Sequence, residues 1–126
     1  MPWGMPLGRR ILVAEDDPAM LSAISRALRR LGYGVVQAES GAELVDQLAD
    51  EGPFDLIVTD VSMPWMDGLK AVRSMRTVGL STPVIVVTAL SDEDLNTQVR
   101  ALGPAILLRK PFEFQELEAA IASLQA

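Results

Sequence analysis

Short apolar runs alternate along this chain with longer stretches in which apolar residues recur every three or four positions. The runs occupy residues 11–14, 35–38, 56–59, 84–87 and 106–109. Near-continuous Val, Ile and Leu is typical of parallel strands that are covered on both faces, and the intervening periodicity indicates amphipathic helices. The pattern therefore predicts an α/β fold, with five strand-helix units in a doubly wound parallel sheet and helices on both faces. We expect the flavodoxin-like strand order 2-1-3-4-5.

The first helix has clear start and stop signals. Asp17 precedes Pro18, which is a favoured pairing of an N-cap with the first helical residue, and Gly32 is expected to end the helix. The apolar positions expected to face the sheet are Leu21, Ile24, Leu28 and Leu31.

Two of the later helices also carry capping signals. Ser40 with Glu43 forms a capping box at the start of the second helix, and Ser91 with Asp94 is expected to cap the fourth. The third and fifth helices are predicted at about residues 67–77 and 113–126.

Composition narrows the class of protein. The chain has 126 residues, of which 49% are hydrophobic and 22% charged, so we expect one globular domain over residues 9–126 after a flexible leader, residues 1–8. The net charge of -6 argues against binding of nucleic acid or of a membrane surface by this domain. With no Cys and no His, the chain offers no thiol nucleophile, imidazole base or zinc-thiolate site. No apolar run approaches the roughly 20 residues of a membrane span, so a cytoplasmic location is expected.

Polar residues stand where four of the predicted strands end. Asp16 and Asp17 follow the first strand, Asp60 the third, Thr88 the fourth and Lys110 the fifth. Ligands of open parallel sheets bind outside the carboxyl ends of the strands, so we expect these side chains to converge there. Three carboxylates, a hydroxyl and an ammonium suit a phosphoryl group together with a divalent metal.

These motifs, in this order and spacing, resemble the receiver domain of two-component response regulators over about residues 10–124. The segment from Asp60 to Leu69 is similar to that family's phosphorylation loop. The resemblance implies that Asp60 accepts the phosphoryl group and that Thr88 and Lys110 contact the phosphoryl oxygens. It implies Mg²⁺ as the cofactor. Its implied ligands are Asp16, Asp17, Asp60 and the backbone carbonyl of Ser62.

The resemblance also implies partners. A sensor histidine kinase or phosphotransfer protein would supply the phosphoryl group, and a downstream output domain or protein would read the result. A homodimer is possible within the family. The chain would not be an enzyme in the usual sense, since its chemistry would be limited to Mg²⁺-dependent self-phosphorylation and slow autodephosphorylation.

Departures from the family pattern keep other interpretations open. Leu107 occupies a position that usually holds Tyr or Phe, so the chain could instead be a degenerate receiver that acts as a constitutive protein-binding module. Trp65 stands where glycine is common and is explained equally well by loop packing and by a partner contact. Asp17 could serve as a helix cap, a metal ligand or both. A phosphotransferase of the haloacid-dehalogenase type also uses Asp, Mg²⁺, Thr and Lys, but its Asp-x-Asp motif after the first strand is missing here.

Overall fold

The computed structural model describes residues 9–61, 68–89 and 93–125. Five strands alternate with five helices in these residues. In chain order they are β1 (Arg10–Ala14), α1 (Pro18–Arg30), β2 (Gly34–Ala38), α2 (Gly41–Glu51), β3 (Leu56–Asp60), α3 (Gly68–Thr77), β4 (Val84–Thr88), α4 (Asp94–Arg100), β5 (Ala105–Arg109) and α5 (Phe114–Gln125).

The strands form one parallel sheet in the order β2-β1-β3-β4-β5, which confirms the predicted topology. In the register of the central strands, Asp60 on β3 is paired with Val87 on β4, and Thr88 is paired with Arg109 on β5. All five strands point in the same direction. The residues that follow β1, β3, β4 and β5 therefore meet at one edge of the sheet.

Two apolar layers cover the sheet, as the unbroken hydrophobic runs require. One layer packs α1 and α5 against Ile11, Val13, Val58 and Ile85, and the other packs α2, α3 and α4 against Leu12, Ile57 and Val86. Every residue of β3 and β4 is buried, including Asp60 and Thr88. The polar ends of these two strands are thus fixed by a rigid apolar frame.

The start of α1 is as predicted. Asp17 is the N-cap, its Oδ1 accepts a hydrogen bond from the Ala19 amide (3.0 Å), and Pro18 is the first helical residue. The prediction that Leu31 faces the core is wrong, because the helix ends at Arg30 and Leu31 lies exposed in the C-cap position. The turn continues through Gly32, whose φ of 98° falls in the left-handed region that glycine tolerates.

The capping signals of the later helices had different outcomes. Ser40 Oγ accepts from the Glu43 amide (3.1 Å), so the predicted N-cap of α2 is confirmed. The predicted cap at Ser91 lies outside the described residues. Within them α4 begins at Asp94, and Glu93 before it makes no side-chain cap hydrogen bond. Within those residues, no helix combines the length and hydrophobicity needed to cross a membrane.

Candidate functional site

An ion-pair network lies at the carboxyl edge of the sheet and centres on Lys110, the residue after β5. Its Nζ lies 2.6 Å from Glu15 Oε1 and 2.8 Å from Asp60 Oδ2. Glu15 directly follows β1 and Asp60 is the last residue of β3. One ammonium thus bridges the ends of two neighbouring strands from the end of a third.

The backbone holds the lysine close to β4. The Lys110 amide donates to the Thr88 carbonyl (2.7 Å), and the Lys110–Pro111 peptide bond is cis. The Thr88 side chain is fully buried at the end of β4 and lies one residue beyond the register partner of Asp60. Thr88 and Lys110 therefore flank Asp60 on the side of the sheet away from β1.

Glu15 is a buried carboxylate with two donors. Lys110 Nζ approaches its Oε1, and the Asp17 amide donates to its Oε2 (3.0 Å). Burial raises the pKa of Glu15 above its ordinary value, and the nearby Asp60 charge adds to this, although both hydrogen bonds act in the opposite direction. Burial alone would lower the pKa of Lys110, but its hydrogen bonds to Asp60 and Glu15 outweigh burial and raise it. The lysine is therefore firmly cationic.

Three carboxylates converge beside this lysine. One oxygen each from Glu15, Asp16 and Asp60 can be chosen so that all three lie within 4.8 Å of one another. Glu15 and Asp60 are buried, whereas Asp16 is exposed and leaves an open side to the cluster. Three negative charges near one lysine leave an excess of negative charge. A hard divalent cation with oxygen ligands would remove that excess.

The predicted site residues can now be located. Asp16, Asp60 and Lys110 come together at the sheet edge, and Thr88 lies at the same edge. The Asp17 carboxylate accepts from the Ala19 amide as the cap of α1, and Glu15 takes the third place in the carboxylate cluster. The predicted carbonyl ligand at Ser62 lies outside the described residues, as do Trp65 and Leu90.

Glu15 is the residue that the sequence-based site omits. A signal for it existed, because an acidic residue directly at the end of an apolar strand in a chain this hydrophobic needs a buried partner. The adjacent acidic residues 16 and 17 concealed that signal. Three consecutive carboxylates cannot all point the same way when the chain leaves a strand and enters a helix.

A close backbone approach fixes the main chain at Asp60. The Gly68 amide donates to the Val61 carbonyl (3.1 Å), and the Val61 amide lies 3.3 Å from the Val87 carbonyl. A Cβ atom added to Gly68 would lie 2.1 Å from the Asp60 carbonyl oxygen and 2.6 Å from Thr59 Oγ1. Glycine at the start of α3 is therefore required for the helix to begin this close to the end of β3.

Leu107, in the middle of β5, packs on the α4 side of the sheet. It is half-buried and contacts the apolar cluster that contains Leu95 and Val99 of α4. Its side chain has no polar atom, so it can contribute packing but no hydrogen bond.

Comparison with known proteins agrees with this geometry. The family model of the response regulator receiver domain matches residues 11–122. Response regulator MprA of Mycobacterium avium is 37% identical over 115 residues, which are 91% of this chain and 50% of that protein. MprA of Mycobacterium bovis gives the same identity and coverage. The chain thus spans about half the length of these curated relatives.

Solved structures with the same fold include single receiver domains. The receiver domain of Francisella response regulator 1452 superposes with a TM-score of 0.84 at 28% identity and covers 92% of this chain and 95% of its own. Response regulator protein TrrA from Thermotoga maritima, solved in complex with Mg²⁺ and BeF, gives a TM-score of 0.79 at 28% identity, with coverage of 92% and 98%.

Proposed function

Given that the chain belongs to the response regulator receiver domain family, we propose that it is a switch that takes a phosphoryl group onto Asp60. The family's general role is that of a phosphorylation switch in two-component signalling. The observation that carries the finer assignment is the bridge from Lys110 Nζ to Asp60 (2.8 Å) and Glu15 (2.6 Å) beside a cluster of carboxylates. Glu15 and Asp60 share burial, contact with the lysine and membership of the cluster. The choice of Asp60 as the acceptor rests in addition on its place at the start of the segment that resembles the family's phosphorylation loop.

The proposed transfer is an in-line displacement at phosphorus. A carboxylate oxygen of Asp60 forms the new bond to phosphorus, and the bond from phosphorus to the donor breaks. The donor keeps that electron pair and takes up a proton, which leaves an acyl phosphate on Asp60. Reactions of this kind depend on positioning and charge stabilisation more than on covalent participation by the protein. The ammonium of Lys110 is placed to attract the phosphoryl oxygens as charge moves onto them.

The carboxylate cluster supports a Mg²⁺ site. Three oxygens within 4.8 Å, two of them on buried carboxylates, form a hard anionic donor set of the kind Mg²⁺ prefers. When bound, the ion would offset the repulsion between Asp60, its acidic neighbours and an anionic donor. We assign Glu15, Asp16 and Asp60 as its side-chain environment and retain the Ser62 carbonyl as a proposed ligand. The hydrogen-bonded cap role of Asp17 makes that residue a weaker candidate.

The ligand assignment has a direct test in thermal melting with and without Mg²⁺. A ligand that binds only the folded state raises the melting temperature by mass action. We expect Asp16→Ala to abolish most of the Mg²⁺-induced rise and Glu15→Gln to reduce it, whereas Asp17→Ala should lower stability through the lost cap and keep the rise. A rise that vanishes in Asp17→Ala and persists in Asp16→Ala would reverse the assignment.

Thr88 is the proposed sensor of the phosphoryl group. Its buried position at the end of β4, beside the strand that carries Asp60, would let its hydroxyl donate to a phosphoryl oxygen once one is present. That additional hydrogen bond would draw the segment after β4 toward Asp60, which is the kind of local change that operates a switch. A sensor histidine kinase or phosphotransfer protein is the proposed donor, and an output domain or protein the proposed reader.

Leu107 favours one alternative function. Because it packs into the apolar cluster with Leu95 and Val99, it can hold α4 in place but cannot report a phosphoryl group through a hydroxyl or a ring. A receiver whose α4 side does not respond would act as a constitutive protein-binding module.

Intact-mass measurement separates these functions. The chain is incubated with a small acyl-phosphate donor and Mg²⁺, with Asp60→Asn as the test variant and the exposed Asp50→Asn as the matched control. We expect a gain of one phosphoryl group in wild type and in Asp50→Asn, and none in Asp60→Asn, because an amide is not nucleophilic. No gain in wild type would favour the binding module, and unlimited phosphate release would favour a phosphotransferase or phosphatase.

A further inference from the structure

An apolar cleft of about 230 Å³ lies between α2 and α3, away from the proposed phosphorylation site. Val45 and Leu48 of α2 form one wall, Met75 of α3 forms the other, and Val78 and Leu80 close the end. The cleft runs along α3 from Ala71, about one turn from Gly68, to Val78 and Leu80 beyond the carboxyl end of the helix, which lies about 15 Å, the length of ten helical residues, from Gly68. Occupation of this cleft would leave the phosphorylation site open.

The exposed apolar side chains of the domain concentrate here. Four large hydrophobic side chains are exposed among the described residues: Leu31, Val45, Val78 and Leu80. Three of them border the cleft, with exposures of 37% for Val45, 74% for Val78 and 47% for Leu80. Single exposed hydrophobic residues are ordinary, whereas a contiguous group beside a cleft marks a contact surface.

The two helices that flank the cleft carry opposite charges. The sequence of α2 contains four acidic residues and no basic one, whereas that of α3 contains three basic residues and no acidic one. The acidic residues are Glu43, Asp46, Asp50 and Glu51, and the basic residues are Lys70, Arg73 and Arg76. All are exposed except Arg76, which is half-buried. The surface is therefore an apolar stripe with a negative flank on one side and a positive flank on the other.

We propose that a second copy of this chain covers the cleft in a symmetric dimer. When two copies of a face meet about a twofold axis parallel to the helices, α2 of one copy faces α3 of the other. The negative flank then meets a positive flank twice, and the apolar stripes meet in the middle. A twofold axis perpendicular to the helices would set α2 against α2 and place like charges together. The charge pattern thus selects one arrangement of a self-complementary interface.

The opposite face differs in its apolar surface and not in its charge pattern. There α1 carries Arg26, Arg29 and Arg30 and no acidic residue, whereas α5 carries Glu116 and Glu118 and no basic residue. Of the four large hydrophobic side chains exposed among the described residues, none borders the cleft of about 170 Å³ on that face, so it lacks the apolar stripe of the α2–α3 face. The α2–α3 pairing does not depend on phosphoryl chemistry, so its success or failure leaves the proposed role of Asp60 untouched.

Analytical ultracentrifugation of the full chain over a wide concentration range tests the proposal. We expect a reversible dimer that is equally strong in Asp60→Asn. Val45→Asn should raise the dimer dissociation constant by about tenfold, because it places an amide in the apolar stripe without altering the charge. The matched control is Leu31→Asn, since Leu31 has the same 37% exposure and lies outside the cleft. It should leave the constant unchanged.

Charge reversal tests the arrangement itself. One variant carries Asp46→Lys with Asp50→Lys on α2, and a second carries Lys70→Glu with Arg73→Glu on α3. Each alone should be monomeric, because like-charged flanks now meet, and an equimolar mixture of the two should recover the dimer. Circular dichroism confirms that each variant is folded before association is measured. Wild-type association should also weaken as salt is raised.

Three results would overturn the proposal. Wild type could be monomeric at every concentration, or Val45→Asn and Leu31→Asn could change association equally. Alternatively, the wild-type dimer could persist in the variants with a reversed α2 or α3, which would place the interface elsewhere.

Discussion

Replacement of Gly68 by Ala tests whether the start of α3 sets the position of Asp60. An added Cβ atom would lie 2.1 Å from the Asp60 carbonyl oxygen, more than an ångström inside the 3.4 Å at which ordinary contact begins. The obstructing atom belongs to the backbone of a fully buried strand, so it cannot rotate away. Either β3 or the first turn of α3 must move.

The expected magnitude follows from two opposed terms. Alanine is favoured over glycine within a helix by about 1 kcal/mol. Overpacking against a rigid frame costs typically 1–3 kcal/mol and sometimes more, and an overlap with backbone lies at the upper end. We therefore expect the free energy of unfolding to fall by about 2 kcal/mol or more. That change corresponds to a melting temperature lower by roughly 6–10 °C for a domain of this size.

Gly34→Ala is the matched control, because the nearest atoms to its added Cβ lie 3.7 Å away. Its stability should stay within about 0.5 kcal/mol of wild type or rise slightly. Urea unfolding of both variants gives the free energies, and intact-mass kinetics with an acyl-phosphate donor give the phosphorylation rates. Only Gly68→Ala should be slower, since displacement of the Asp60 backbone misaligns its carboxylate. Equal stability and equal rates in the two variants would refute the reasoning.

Three further predictions concern the charge network, the phosphorylated state and the loop after β3. The pKa of Lys110 is raised in the folded state, so its ion pairs should stabilise the fold fully below the unfolded pKa of about 10.4 and be lost as the pH rises through the folded pKa. Lys110→Met should therefore lower the free energy of unfolding by about 2 kcal/mol, and equally at about pH 7 and pH 9. A loss of stability that disappears between those two pH values would contradict the prediction. Ser62→Asn combined with Leu90→Glu, at two positions outside the described residues, should orient the attacking water and accelerate loss of the phosphoryl group about tenfold, which is roughly 1.4 kcal/mol on the barrier. An unchanged decay of the phosphorylated mass peak would show that other groups control the access of water. In a Trp3→Phe variant, the fluorescence of Trp65, which is five residues from Asp60 in sequence, should change on titration with Mg²⁺ and beryllofluoride. An unchanged fluorescence in a protein shown by calorimetry to bind both ligands would show that Trp65 does not contact the site.

The sequence predicted the fold well because the apolar runs reflect a global constraint. A strand covered on both faces must be hydrophobic at nearly every position, and β3 and β4 are buried throughout. Helix boundaries depend on local geometry and were predicted less well. Leu31 fits the helical period, but the last turn closes one residue earlier and leaves it exposed.

The candidate site was predictable to the level of strand ends. Asp60 and Lys110 could be selected because parallel strands bring their carboxyl ends together, and their side chains do meet. The sequence could not show which two of the three consecutive acidic residues, 15 to 17, turn toward the cluster. Capping of α1 occupies Asp17, whereas a hydrogen bond from the Asp17 amide and the Lys110 ammonium hold Glu15 inside.

The position of the phosphoryl group is the most direct test of the proposed switch. Borohydride reduces an acyl phosphate on aspartate to homoserine, so treatment of the phosphorylated chain followed by peptide mass mapping marks the acceptor permanently. We predict homoserine at residue 60, with Asp16 and Asp17 unmodified. Homoserine at either of those residues, with Asp60 intact, would contradict the assignment of the acceptor.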